Sequence, residues 1–430
     1  MPHDYPQHLA EFVCKQWPPA SSRGRDCDRL PGLGALGALL GTCYHASFLL
    51  EEQRPVAFRL IVREPELFAH DQGPPNGLQP LSFTEARPLS EHELRRLAPA
   101  ARFQRALIGA RFENGRWQLW GIVVSGPRWL QVDRGGRRAI RPLPPAPVVL
   151  VTGPGRMAVH CGSELVGLLR HGRVGGEVGD LFSSAWLPEL FAGVREELMR
   201  QHDEARASAT APLAAIDPEV IRRLGQQFVK RIIAALRDMH HGGMIVFLPS
   251  GDAGGVVEDS RYVLFKYRFA DAEPRRRMRW LLGRILATLA EICGGDGAAA
   301  ADWARFEASP DARLSKLDDA VFETAHFLAD LAAVDGAVVI TQRFELLGFG
   351  AEVSGETPRG LLVARALDDE ATRVTFESAE GMGTRHRAAF RLCNSVHEAL
   401  AIVVSQDDTV RFVRWHNGAV TYWDYSTFGL

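Results

Sequence analysis

The 430-residue sequence lacks three features that would each place a protein in a particular class. Its six cysteines are scattered without a CxxC pair, so neither a zinc site nor a disulfide framework is indicated. No apolar run approaches the roughly 20 residues of a membrane span. The formal net charge of −2 gives no overall reason to expect a nucleic-acid or membrane partner. These absences, with a polar N-terminus, predict a cytoplasmic protein that contacts neither a membrane nor nucleic acid directly.

Short apolar strands dominate the first half of the chain. Strands are predicted at about 106–112, 117–124 and 128–133. Asn114-Gly115 is a hairpin turn signal between the first two. The Pro-, Gly- and Glu-rich stretch 64–98 is predicted to be mostly loop, with one short helix near 91–97. Together these patterns predict an α+β domain over residues 1–180.

A linker of small residues, ASATAPLAA, ends at residue 215 and marks a boundary. After it, Asp217 and Pro218 have the residue types of a helix cap and a first helical position. Helices then alternate with short apolar strands, which predicts a mixed-sheet α/β sandwich over 216–430. An insertion interrupts this domain at about 250–316. Residues 181–215 are predicted to form a helix and linker that connect the two domains.

The stretch GTRHR, residues 383–387, places cations at the start of a predicted helix. Gly383 lets the chain turn, and Thr384 is predicted to cap the helix. Arg385, His386 and Arg387 then lie in the first turn, where the helix dipole is already positive. Cations are favoured there if a strongly anionic group faces them, and phosphate is the usual candidate. The alternative is a solvated basic turn, salt-bridged to nearby glutamates (Glu377 or Glu380).

Two strand ends carry further polar groups. Asp335 and Gly336 come before Ala337 in DGAVVI, where a helix leads into a buried strand, and Gly336 lets a backbone or phosphate approach closely. Ser405 and Asp407 follow another buried strand in VVSQDD. Ligands of α/β sheets gather beyond strand ends, and an aspartate can hold Mg²⁺ or Mn²⁺. Taken singly, each stretch is better explained without a ligand: DGAVVI by an ordinary turn aspartate and VVSQDD by an exposed turn.

The order and spacing of these motifs resemble the diadenylate cyclase domain. DGA followed by GTRHR, each in its strand or helix context, is a specific pair. The resemblance covers roughly 216–420, about half of the chain. Its pieces are the entry helix and strand at 217–248, DGAVVI at 335–340, GTRHRAA at 383–389, IVVSQDD at 402–408 and the final Asn417-Gly418.

The resemblance implies roles for the matching positions. Asp335 would bind the metal, Mn²⁺ or Mg²⁺, and activate a ribose hydroxyl, while Asp407 would add a second carboxylate. Catalytic phosphate contacts are implied for Arg385, His386 and Arg387. The remaining nucleotide-binding positions are Gly336, Ala337, Gly383, Thr384 and Ser405. Two departures from the pattern of some members are Val334 in place of His and Gln406-Asp407 in place of Glu-Glu.

The implied activity is a diadenylate cyclase, a metal-dependent nucleotidyltransferase that condenses two ATP into cyclic di-AMP and pyrophosphate. Because the product is two-fold symmetric, the resemblance also implies a homo-oligomer with cyclase domains face to face. By analogy, the N-terminal domain is expected to be a sensor that regulates this output. The alternative is a catalytically silent module that reads ATP or a cyclic dinucleotide.

Overall fold

The computed structural model describes most of the chain in two compact units, within 3–175 and 180–425. The predicted strand at 128–133 and the start of the insertion, 250–261, lie outside the described residues. The described residues are 3–17, 28–69, 72–74, 77–126, 143–170, 172–175, 180–239, 241–249, 262–355, 360–406 and 409–425.

The first unit combines a sheet with three described helices, which confirms the predicted α+β class. The helices are α1 (Pro6–Gln16), α2 (Leu33–Ala46) and α3 (Glu91–Leu97). The strands are β1 (Leu50–Glu51), β2 (Arg54–Pro55), β3 (Phe58–Val62), β4 (Gln79–Pro88), β5 (Ala106–Glu113), β6 (Arg116–Val124), β7 (Pro147–Gly153), β8 (Arg156–Cys161), β9 (Glu164–Arg170) and β10 (Arg173–Gly175). Among described residues, eight strands form one sheet in the order β10-β9-β8-β7-β3-β5-β6-β4.

Strand β4 corrects the prediction that 64–98 is mostly loop. It pairs antiparallel with β6 as an edge strand, although the short helix α3 lies where it was predicted. Prolines at 80 and 88 and a largely exposed side-chain pattern concealed the strand from sequence reasoning. The Asn114-Gly115 turn between β5 and β6 is confirmed, with φ of +50° and +77°.

The second unit contains the remaining described elements. Its helices are α4 (Trp186–Glu189), α5 (Ala192–Ser208), α6 (Pro218–Asp238), α7 (Ala272–Arg275), α8 (Arg277–Gly295), α9 (Trp303–Ala308), α10 (Ala312–Leu331) and α11 (Thr384–Ser395). Its strands are β11 (Ala215–Ile216), β12 (Gly243–Leu248), β13 (Val263–Leu264), β14 (Tyr267–Arg268), β15 (Ala300–Ala301), β16 (Ala337–Thr341), β17 (Leu346–Val353), β18 (Leu362–Ala366), β19 (Val374–Ser378), β20 (Leu400–Val404), β21 (Val410–His416) and β22 (Ala419–Tyr425).

A mixed sheet lies at the centre of the second unit, as predicted. Its order is β13-β17-β16-β12-β20-β21-β22-β18-β19, with β14 also paired to β17. Alternate residues of β12 and β16 face two separate cores. One core is filled by α5, α6, α8 and α10, and the other by α11. The sheet is therefore covered on both faces, which is the α/β sandwich expected from the sequence.

Helix α6 begins as the sequence predicts. The Asp217 side chain accepts a hydrogen bond from the Glu219 N–H at 2.9 Å, and Pro218 takes the first helical position. Residues 181–215, predicted as a connection, lie within the second unit, where Val194 and Leu198 of α5 enter the core. Helix α8 of the insertion also packs there. No helix in the described residues is both long and apolar enough to cross a bilayer.

Candidate functional site

The ends of three adjacent interior strands of the second unit bring the predicted motifs together. Strand β12 is parallel to β16, with Ile245 opposite Val338, and antiparallel to β20, with Gly243 opposite Val404. The chain therefore enters β12 and β16 and leaves β20 at the same edge. Since neighbouring strands are about 4.8 Å apart, the backbones next to Asp335 and Ser405 are separated by roughly 10 Å. We call this row of strand ends, formed by the starts of β12 and β16 and the end of β20, the motif edge.

Asp335 reaches the motif edge on an exposed turn that ends in a constrained glycine. Gly336 has φ of +121°, a conformation that L side chains rarely adopt. A Cβ atom at Gly336 would lie 2.5 Å from the carbonyl carbon of Gly350 in β17. The predicted close approach of another backbone is thus confirmed. The crowding of Gly336 fixes the turn while leaving the Asp335 carboxylate open to solvent.

Arg385 reaches the same edge from helix α11. A Cβ atom built on Gly242, just before β12, would lie 3.0 Å from Nη1 of Arg385 and 2.7 Å from the carbonyl oxygen of Val404. Gly242 has φ of +65°. The absence of a side chain at Gly242 therefore makes room for the guanidinium between the start of β12 and the end of β20. No motif in the sequence marked Gly242 as part of the site.

The start of α11 differs in one detail from the prediction. Thr384 is the first helical residue and Gly383 is the cap, without a side-chain hydrogen bond, so Thr384 does not cap the helix. Gly383 takes this position because its backbone already has the extended conformation of a cap, with φ −62° and ψ 160°. Both residues are exposed. The first amide groups of α11 consequently face solvent at the motif edge without a capping side chain.

The two arginines of this turn are not neutralised by the glutamates considered as alternatives. Within the part of the chain that the structure describes, neither Arg385 nor Arg387 makes an ion pair, and Arg387 is exposed. Glu377 instead accepts a hydrogen bond from the Tyr422 hydroxyl. The backbone N–H of Glu380 donates to Ser378 Oγ at 3.2 Å. The positive charges of Arg385 and Arg387 therefore remain available to an anion.

His386 has a different environment from its two neighbours. It is 7% exposed, and its ring lies 6.4 Å from that of Phe390, one helical turn further on. Ala389, Phe390 and Cys393 are buried on the same face of α11. The helical spacing of 386, 389, 390 and 393 carries this signal in the sequence. His386 thus packs with the core of the unit, whereas Arg387 is exposed and Arg385 is half-buried beside Gly242.

An ion-pair network holds the chain just before α11. Arg411 Nε donates to Asp424 at 2.8 Å, and its Nη1 lies 3.3 Å from Met382 Sδ. Arg365 donates to the other oxygen of Asp424, also at 2.8 Å. Burial opposes ionisation of Asp424, but its hydrogen bond and attraction to Arg411 and its attraction to Arg365 prevail and lower its pKa. The carboxylate stays charged and ties β18, β21 and β22 together.

The other predicted site residues occupy the ends of the neighbouring strands. Ser405 is half-buried, and its backbone N–H donates to the Thr409 carbonyl oxygen at 2.8 Å, which closes the turn after β20. Ala337 is buried as the first residue of β16. Asp407 lies outside the described residues. The motif edge therefore unites Asp335 with the α11 start and Ser405, whereas the second predicted carboxylate is not described.

Sequence reasoning missed one cation at the motif edge. Lys266, in the insertion, donates from Nζ to the backbone carbonyl oxygen of Asp335 at 3.3 Å. The insertion reaches this position because β13 and β14 both pair with β17, beside the turn of Gly336. No motif marks Lys266 in the sequence, since its position follows from strand pairing between segments about 80 residues apart.

The described residues contain a single predicted metal ligand. Among them, no group of three or more His, Cys, Asp or Glu side chains could share a metal ion. Mg²⁺ is commonly bound by one or two carboxylates together with substrate phosphates. The exposed Asp335 carboxylate fits that donor set. A divalent ion held here would thus share its coordination with a nucleotide.

Comparison with known proteins gives a match in the first unit. Residues 25–124 match a family model described as the probable sensor domain DACNV, which spans about a quarter of the chain. No curated protein and no solved structure matches the chain. The N-terminal unit thus contains a probable sensor domain, in agreement with the sequence analysis. The resemblance of 216–420 to diadenylate cyclases depends on the quoted motifs.

Proposed function

We propose that the second unit is a metal-dependent diadenylate cyclase whose output is regulated by the N-terminal sensor domain. The observation that supports the proposal most is the motif edge. There, an exposed carboxylate and an arginine without an ion pair lie beside the crowded glycines 242 and 336. Gly336 lets the β17 backbone hold the Asp335 turn, Gly242 makes room for the Arg385 guanidinium, and arginine binds phosphate oxygens in a bidentate manner.

The residues present suit phosphoryl transfer between two identical nucleotides. In the proposed reaction, the 3′-hydroxyl of each ATP attacks the α-phosphorus of the other. Two phosphodiester bonds form, two α–β phosphoanhydride bonds break, and two pyrophosphates leave with loss of two hydroxyl protons. Such transfer depends on positioning and on cations that meet the developing negative charge, with little covalent help from the protein.

Each motif-edge residue has a role in this proposal. Arg385 and Arg387 bind triphosphate oxygens, and the amides at the start of α11 add hydrogen bonds. Asp335 orients the attacking hydroxyl and holds Mn²⁺ or Mg²⁺, which supplies Lewis-acid polarisation of the phosphate. Lys266 brings a further positive charge to the Asp335 turn. His386 is a positioning residue, since its burial fixes the first turn of α11 against the core.

The assembly follows from the symmetry of the product. One motif edge provides groups for one ATP, and the ring requires two nucleotides related by a two-fold axis. A homo-oligomer with motif edges face to face would deliver both. The proposed substrate and product do not require a membrane or nucleic-acid partner.

A test is incubation of the full chain with ATP and Mn²⁺, and separately with GTP, with products resolved by mass spectrometry. We expect cyclic di-AMP from the wild type. Asp335→Asn should lower the rate about 10²–10⁴-fold, the range for loss of a general base. Asp296→Asn, which changes an exposed aspartate after α8, is the matched control and should keep full activity. Equal activity of Asp335→Asn and the wild type would refute the proposed role of this carboxylate.

A catalytically silent nucleotide-binding module is the second candidate. It is supported by Arg385 and Arg387, which make no ion pair with the described residues and can bind an anion whether or not a reaction follows. For such a module we expect no cyclic product, while ATP or cyclic di-AMP still binds. Arg385→Ala should then weaken that binding. Isothermal titration calorimetry beside the product assay separates this outcome from the enzyme.

A further inference from the structure

The first unit has a pocket at the edge of its sheet, in a region that the cyclase proposal does not use. Its volume is about 470 Å³, within the usual range for small-molecule sites. The walls come from edge strand β4, from β6 and from the turn that connects α3 to β5. All its described lining residues lie between 81 and 124, inside the segment that matches the sensor domain. We call it the edge pocket.

The edge pocket is lined by two arginines whose charge is not neutralised. Arg102 and Arg105 make no ion pair within the described residues, and no carboxylate among those residues lines the pocket. Three other arginines of this unit have close carboxylate partners. These pairs are Arg63–Asp28 at 2.6 Å, Arg95–Glu51 at 3.1 Å and Arg111–Glu113 at 3.1 Å. The contrast within one unit indicates that the pocket presents positive charge to an anion.

The backbone that carries the two arginines is fixed. The Arg102 carbonyl accepts from the N–H groups of Arg105 and Ala106 at 2.8 and 3.0 Å. The Arg105 carbonyl accepts from those of Ser125 and Gly126 at 2.8 and 3.0 Å. Both side chains therefore extend from an anchored turn, and binding an anion would not require the turn to fold first.

The β4 and β6 side of the edge pocket is largely apolar, and the pairing of these two strands is irregular. Leu81 is 50% exposed, and Phe83 and Ile122 are half-buried. Strand β4 runs from Ser82 to Arg87 while its partner β6 advances only from Gly121 to Leu119. The bulge removes Phe83 and its neighbours from the ladder and shapes the wall. A pocket lined both by exposed apolar side chains and by two arginines suits a ligand with an apolar body and an anionic head.

We propose that the edge pocket is the ligand site of the sensor domain and binds a small organic anion, in which a phosphate or carboxylate is attached to an aromatic or aliphatic body. Arg102 and Arg105 bind the anionic head by bidentate, charge-assisted hydrogen bonds. The Ser82 hydroxyl adds a polar contact. Leu81, Phe83 and Ile122 contact the apolar body. This site rests on the first unit alone and is independent of any activity of the second.

Titration calorimetry of the full chain with phenyl phosphate and with benzoate tests the proposal. We expect saturable binding of at least one of them, and their relative affinities distinguish phosphate from carboxylate as the preferred head. Benzyl alcohol, which lacks the charge, and inorganic phosphate, which lacks the apolar body, should each bind at least about tenfold more weakly. The Arg102→Gln/Arg105→Gln variant should lose about tenfold or more in affinity, as expected for charge-assisted contacts.

Two control variants locate the binding. Arg116→Gln removes an exposed arginine of β6 that does not line the pocket, and it should leave the affinity unchanged. Arg385→Gln should also leave it unchanged, which separates the edge pocket from phosphate binding in the second unit. Circular dichroism should show that the double variant is folded, because both side chains are exposed.

The proposal is overturned if neither aromatic anion binds, or if the double variant binds them as tightly as the wild type. It is also overturned if the double variant changes only the oligomeric state in sedimentation equilibrium. That last result would identify the pocket as an interface between copies of the chain.

Discussion

In both units, arginines that make no ion pair with the described residues lie beside a sheet, but their surroundings differ. In the first unit, Arg102 and Arg105 face apolar side chains, and no described carboxylate lines the pocket. In the second, Arg385 Nη1 lies against Gly242 at the motif edge, which also carries Asp335, and neither Gly242 nor Gly336 would admit a Cβ atom without a shift. Uncompensated cations alone favour the binding of an anion. A carboxylate and close backbone approach add the means to position a hydroxyl and a metal, which binding does not require.

The two anion sites are separate only if each unit keeps its own structure. Arg231 and Asp318 test this, because they form a buried ion pair between α6 and α10 in the second unit. Asp318→Ala would leave the Arg231 charge without its carboxylate, and we expect the free energy of unfolding of this unit to fall by about 3–5 kcal/mol. In urea, ATP binding should then be lost at lower concentration than phenyl phosphate binding by the first unit.

Lys316→Ala changes an exposed residue of the same helix and is the control. It should move neither midpoint by more than the error of the measurement. Simultaneous loss of both ligands in the Asp318→Ala variant would show that the two units unfold as one, contrary to the comparison.

Glycine crowding at the motif edge gives the next largest effect. Gly336→Ala would place Cβ 2.5 Å from the Gly350 backbone, at a φ of +121°. We expect a loss of about 3 kcal/mol in stability together with loss of ATP binding. Gly418→Ala is the matched control. It also has positive φ, +83°, but nothing lies within 4 Å of its Cβ position, so only about 1 kcal/mol should be lost.

Chemical denaturation of both glycine variants measures the difference. A cost at Gly336 equal to that at Gly418 would mean that the backbone of β17 moves aside freely. The Asp335 turn would then lack the rigidity that the site requires.

Much of this architecture is predictable from local signals. Asp217-Pro218 marks the start of α6, and Asn417-Gly418 forms the turn between β21 and β22 with φ of +48° and +83°. Such signals act within a few residues, so the chain around them matters little. Interruptions within helices were harder to predict from the sequence. The segment 181–215, predicted as one helix and a linker, contains two helices, α4 and α5, and α7 is separated from α8 at Arg276.

The candidate site was predictable to the extent that it depends on strand ends. Asp335 and Ser405 follow the rule that ligand groups collect where strands begin or end. The places of Lys266 and Gly242 in the site could not be predicted from the sequence, because they depend on which strands pair and where α11 packs. Burial of His386 could have been inferred from the spacing of Ala389 and Phe390, but its place within a basic cluster suggested exposure instead.

Exchanging the two kinds of arginine site tests the comparison directly. Arg385→Gln should weaken ATP binding about tenfold and leave phenyl phosphate binding unchanged, whereas Arg102→Gln/Arg105→Gln should do the reverse. Titration calorimetry of each variant with both ligands gives four affinities. If either change weakens both ligands equally, the two edges do not act as separate anion sites.

The smallest expected effect concerns arginines that are neutralised. Asp424 pairs with Arg365 and Arg411, and its pKa is lowered in the folded chain. A lowered pKa stabilises the fold above the unfolded value near 4, and this contribution is lost as the pH falls through the folded pKa. Asp424→Asn should therefore cost about 1 kcal/mol at neutral pH. The stability difference from the wild type, measured by urea denaturation, should shrink below about pH 4. A difference that stays constant down to pH 2 would mean that the Asp424 charge contributes nothing and that the cost comes from replacing an acceptor oxygen by an amide NH₂ group.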